Sequence, residues 1–135
     1  MKMRMLAAVG LLVSGAVHLW LWFDGYGSIA VIGPAFMVNA VAAVVIAALV
    51  LRWAHWAPLL LAIGFGVSTL AAFVTSATVG LFGVHERWTG GAVLTAAVSE
   101  VVVVVASVMA LAHEHGVPTP RRLRHPLAYL HTPMT

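Results

Sequence analysis

Polar positions are scarce along this chain, and where they cluster they divide it into four apolar runs, from about residue 5 to 23, 32 to 51, 56 to 82 and 91 to 112. Each run matches or exceeds the ~17–20 residues that a helix rising 1.5 Å per residue needs to cross a hydrocarbon core of about 30 Å. The runs are apolar on every side and lack the polar face that a helix on the surface of a soluble domain presents to water. The pattern predicts an all-α integral membrane protein of four transmembrane helices.

The breaks between the runs are short. "DGYGSIAV" carries turn-forming glycines, "RWAHWAP" places Pro58 where a first helical turn tolerates it, and "GVHERWTGG" is bounded by glycine. Links this short favour an up-down-up-down bundle. Trp20, Trp22, Trp53, Trp56 and Trp88 all fall near predicted ends, as in an interfacial aromatic belt.

Composition agrees. Of 135 residues 62 % are hydrophobic and 8 % charged, against about a quarter charged in a soluble domain. Cysteine is absent, which excludes disulfides, thiolate metal sites, iron–sulfur clusters and cysteine nucleophiles. The formal net charge of +3 rests mainly on Lys2, Arg4, Arg52, Arg121, Arg122 and Arg124. These flank the apolar runs, so the excess reports orientation rather than nucleic-acid binding. The opposite side holds Asp24 and the "HER" of residues 85–87, so both termini are expected in the cytoplasm and the protein in the cell membrane. The charged start and apolar run at the N-terminus resemble a signal peptide in outline, but no A-x-A-like cleavage site follows, and the segment is expected to stay as the first helix.

Residues 1–113 are thus read as the bundle and 114–135 as a basic, proline-containing cytoplasmic tail. There Arg121, Arg122 and Arg124 are candidates for anionic lipid headgroups, at about 1 kcal/mol per basic residue near the surface. Docking of the tail on a partner subunit is the rival. His113 and His115 are two apart, so on a helix they diverge rather than converge on a metal. "AVGLLVS" at 8–14 and "AIGFGVS" at 62–68 are alike, and a duplicated hairpin is outweighed by the general preference for small residues at membrane helix contacts. Gly10 with Ser14, Gly64 with Ser68 and Ala43 with Ala47 are the candidate contact positions.

The chemistry centres on Glu100, which precedes five valines in "AVSEVVVVVAS". A carboxylate at the centre of a span costs about 2.5–3.5 kcal/mol on insertion scales, so it is expected to face protein or a cavity. Counted from the outer ends of the runs, His18 lies about 8 Å deep, Asn39 and Ser76 about 10 Å and Glu100 about 13 Å. One polar residue per helix therefore reaches a similar level, and Glu100, His18, Asn39, Thr75 and Ser76 form the candidate proton, cation or ligand site, with a direct contact of His18 and Glu100 at its heart. Asp24, His85 and Glu86 are candidates at the outer mouth. They have metal-ligand chemistry without diagnostic spacing, and no metal site is assigned. A haem between two histidines needs a second histidine level with His18, and the other spans have none. No phosphate-binding glycine loop and no nucleophile elbow is present.

The expected function is a non-enzymatic accessory or assembly subunit of a larger membrane complex, with a membrane-protein partner or self-association. The alternatives are a small homo-oligomeric proton- or cation-coupled transporter using Glu100 and His18, and a quinone- or haem-binding redox protein. The sequence specifies no cofactor.

Overall fold

The computed structural model describes residues 1–116. Four helices account for most of them: α1 (Lys2–Phe23), α2 (Ile32–Arg52), α3 (Trp56–Thr78) and α4 (Gly91–His115). Each is long and apolar enough to cross a membrane. Arg121, Arg122 and Arg124 of the tail lie outside the described residues.

Every helix buries a stripe spaced three or four residues apart, such as Ala40, Ala43, Ala47 and Val50 on α2, or Ala96, Glu100, Val103, Ser107 and Ala110 on α4. Small side chains predominate in the stripes, while larger ones such as Val38, Val44, Leu60, Val98 and Val105 point outward. That distribution is expected where lipid replaces water, because association then depends on close backbone approach rather than on hiding apolar area. A β-carbon on Gly10 would meet Val103 Cγ2 at 2.8 Å, and one on Gly66 would meet Val104 Cγ2 at 2.6 Å. Ala43 and Ala47 are buried as expected, but Gly64 faces open space, and Gly66 two residues on is the contact position.

Helix α1 lies against both α2 and α4, and α3 lies mainly against α4. Helices α2 and α3 touch little although a short link joins them. In that link the His55 ring caps α3, its Nδ1 accepting from Ala57 N–H at 3.2 Å, and Pro58 sits in the first turn.

Arg4 fastens this end of the bundle. It lies within α1, 3 % exposed, rather than beside the helix as a free charge. Its guanidinium donates to the carbonyls of Val50 (3.0 Å), Trp53 (3.1 Å) and His55 (2.9 Å) and to Glu114 Oε2 (2.7 Å). The orphan carbonyls at the end of α2 thereby gain donors, and the start of α1, the end of α2, the link and the end of α4 are tied together. The apolar core of Leu11, Ala43, Val50, Leu59, Phe65 and Val103 occupies this part of the bundle.

At the other end the third run stops early. Helix α3 ends at Thr78, not near residue 82, because Gly80 takes a left-handed backbone (φ 85°) and the chain turns back. Leu81 and Val84 then pair their backbones at 2.8 and 2.9 Å, and the Ser76 hydroxyl holds Val84 O at 2.9 Å. Apolar composition alone does not reveal that Leu81 folds inward as loop rather than continuing as helix. Helix α4 conversely runs past residue 112 to His115, its last turn held through Glu114 and stopped at Gly116 (φ 67°).

Candidate functional site

Where α2 and α3 spread apart, the bundle holds a partly open chamber of about 200 Å³. All four helices contribute to its wall: His18 and Leu21 from α1, Phe36 and Asn39 from α2, Thr69, Phe73 and Ser76 from α3, Ala96 and Glu100 from α4. Leu81, Val84 and Glu86 of the turn after α3 close one side. His18, Asn39, Ser76 and Glu100, matched in depth by the spacing of the sequence, thus line one space.

Thr75 is not among the lining residues. Successive helical residues diverge by about 100°, so with Ser76 turned inward Thr75 turns aside, and its hydroxyl donates to Ala71 O at 2.8 Å. Thr69, seven residues before Ser76 and hence on its face, takes that place. Glu86 reaches the chamber, whereas Asp24 and His85 are exposed and do not line it. No group of three or more His, Asp or Glu side chains able to hold a metal ion occurs among the described residues.

Glu100 is 2 % exposed, and its partner is Ser14, whose hydroxyl donates to Oε1 at 3.0 Å. His18 makes no hydrogen bond to Glu100. Its Nδ1–H donates to Ser14 O at 2.9 Å, which makes Nε2 the acceptor of the neutral ring. The direct contact expected from the sequence is therefore replaced by an arrangement through Ser14. Ser14 was legible only as a small residue at a helix contact, one turn before His18.

The other hydroxyls around the polar end are also committed. Thr69 Oγ1 donates to Phe65 O at 2.8 Å and approaches Gly66 O at 3.1 Å. Ser68 Oγ donates to Phe65 O at 3.0 Å, and Ser76 Oγ to Val84 O. Asn39 Oδ1, by contrast, is buried and accepts from no described residue.

The apolar wall is set by aromatic contacts. His18 meets Phe36 edge-on at 4.9 Å, Tyr26 stacks on Phe36 at 5.3 Å, and Trp88 meets Phe73 edge-on at 5.4 Å. Tyr26 belongs to the α1–α2 link, and its phenol is pushed up to about 12, first by burial, then by its hydrogen bond to Glu86 and by the negative charges of Glu86 and Asp24. Glu86 belongs to the α3–α4 link, so the two links come near one another at the chamber end.

Comparison with known protein families, curated proteins and solved structures finds no match. The functional reading therefore rests on the chamber itself.

Proposed function

We propose that this chain is a multi-pass membrane protein that binds a small, mainly apolar molecule in the chamber, polar end toward Glu100. The observation that carries the reading is the chamber's make-up: apolar and aromatic walls contributed by four helices converge on a few placed polar groups, the usual constitution of a small-molecule site. In this reading the helices cross up-down-up-down with both termini in the cytoplasm, Lys2 and Arg52 lying at the Arg4 end and the chamber opening toward the outer half. Use of the site by a proton- or cation-coupled carrier follows naturally from an ionisable group at its wall. A haem held by two histidines does not fit, since His18 is the only histidine among the lining residues.

Native mass spectrometry of the full chain extracted in mild detergent tests the proposal. A retained small molecule, lost on Ala97→Phe at an α4 residue that also lines the chamber, is the expected result. A folded protein that retains none, and that takes up none of the one-ring probes described below, overturns it.

An accessory or assembly subunit is the second reading. It is favoured by an open groove on the α1–α4 surface lined by Gly10, Thr95, Ser99, Leu6, Val13 and Leu94, a surface of the kind used in helix–helix contact. Another membrane protein co-purifying in fixed ratio and released by Thr95→Trp, a change at an exposed position of the groove, would favour it.

A further inference from the structure

The chamber's hydrogen-bonding groups are strongly one-sided. The Ser14, Ser68, Thr69 and Ser76 hydroxyls and the His18 Nδ1–H all spend their hydrogens on protein acceptors. What remains is chiefly acceptor capacity: the Glu100 carboxyl beyond its bond to Ser14, His18 Nε2 and the unpartnered Asn39 Oδ1. With Glu100 ionised, the Asn39 amide N–H₂ is the one side-chain donor of the wall not so committed.

No lysine or arginine lines the chamber, and Glu86 adds a second carboxyl to its wall. The described arginine that does lie buried, Arg4, is engaged with Glu114 and three carbonyls at the other end of the bundle. Glu100 thus lacks the cation that a buried carboxylate ordinarily has beside it.

From this imbalance, and resting on the reading of the chamber as a small-molecule site, we infer that its ligand is a compact organic ammonium: a protonated amine on one small ring or short chain. An ammonium has only donors to offer and supplies the missing charge. Its three N–H groups match Glu100, Asn39 and His18 in chemistry, and its apolar body meets Phe36 and Phe73, whose ring faces favour a nearby cation. A quinone is disfavoured by the same count, because its carbonyls would face acceptors. Size points to a compact body. An apolar cavity of about 150 Å³ accommodates benzene, and drug-sized ligands occupy about 300–1,000 Å³, so a chamber of about 200 Å³ suits a single ring with a short arm.

The test uses the full chain in lipid nanodiscs, with benzylamine, toluene and benzoate as probes matched in shape and different in charge, their binding read by ligand-observed NMR. Benzylamine is expected to bind at least tenfold tighter than toluene and benzoate to bind least. Glu100→Gln should abolish the preference for the amine while toluene still binds. Asn39→Leu, which does not touch the carboxyl, should weaken benzylamine several-fold more than toluene, so the proposal stays testable if Glu100→Gln fails to fold. Equal binding of toluene and benzylamine to the native chain, or an amine preference that survives both substitutions, overturns the ligand class and leaves the chamber a binding site. Binding of none of the probes overturns the small-molecule reading itself.

Discussion

Ser14 donates its hydroxyl to Glu100 across the α1–α4 contact at 3.0 Å, and both residues are buried. The bond fixes where on α4 the carboxyl points, while the Ser14 carbonyl holds the His18 ring. One serine thus sets two of the chamber's polar groups.

Ser14→Ala should cost about 1 kcal/mol. Interhelical hydrogen bonds in membranes average about 0.6 kcal/mol and reach about 1.7, and a carboxyl acceptor in full burial favours the upper part of that range. A double-mutant cycle of Ser14→Ala with Glu100→Ala, read by reversible unfolding in mixed micelles, should show a coupling of that size. The corresponding cycle of His18→Ala with Glu100→Ala should couple less, because those two side chains share no hydrogen bond. Additivity within about 0.3–0.5 kcal/mol for Ser14 and Glu100 would show that the bond contributes nothing.

Gly64 and Gly66 offer a contrast two residues apart. A β-carbon on Gly66 would stand 2.6 Å from Val104 Cγ2 and 3.0 Å from Glu100 O, whereas one on Gly64 meets nothing within 4 Å. Replacing glycine by alanine within a helix gains about 0.5–1 kcal/mol, and overpacking costs about 1–3 kcal/mol. Gly64→Ala should therefore be neutral or stabilising and Gly66→Ala destabilising by about 1 kcal/mol or more. Equal effects in thermal unfolding would remove the close approach of α3 to α4.

Gly64 and Gly66 also show how far the sequence was legible. Helix number and type followed from the apolar runs, since length and composition suffice to define a span. Which face of α3 turns inward did not, because a helix apolar all round has no polar side to mark its exterior. The same ambiguity misassigned Thr75 while Ser76 was placed in the chamber wall. Depth along a helix is easier to read than rotation about it, which is why the sequence groups His18, Asn39, Ser76 and Glu100 but does not reveal the roles of Ser14 and Thr69. From sequence Arg4 is only a flanking charge, because nothing in "MKMRM" shows that three carbonyls and Glu114 surround it.

Arg4→Met should destabilise by about 3 kcal/mol, the lower part of the range for breaking a buried charge pair, since Glu114 keeps a side-chain exposure of 25 %. Arg4→Lys should recover less than half of the loss, because an ammonium lacks the planar fork that reaches separate carbonyls. Glu114→Gln, which leaves the carbonyl contacts in place, should cost below about 1 kcal/mol. Equal losses for Arg4→Met and Glu114→Gln in chemical denaturation would mean that the carbonyl contacts contribute nothing.

Tyr26 reports on the closure between the two links. Its phenol is pushed up to about 12 by burial first and by Glu86 and Asp24 after it, against about 10 for a free tyrosine. Between those values the folded chain keeps a proton that the unfolded chain has released, so stability is full below about pH 10 and falls as pH rises toward 12. The chain has two tyrosines, and Tyr129→Phe leaves Tyr26 as the single one, so phenolate absorbance then titrates it alone. The expected midpoint is near 12, and Glu86→Gln should lower it without reaching the free value, because burial is the larger cause. Tyr26→Phe should remove this part of the alkaline stability loss. A midpoint at the free-tyrosine value in the folded protein would show that the two links do not meet at Tyr26 and Glu86, and that this edge of the chamber is open.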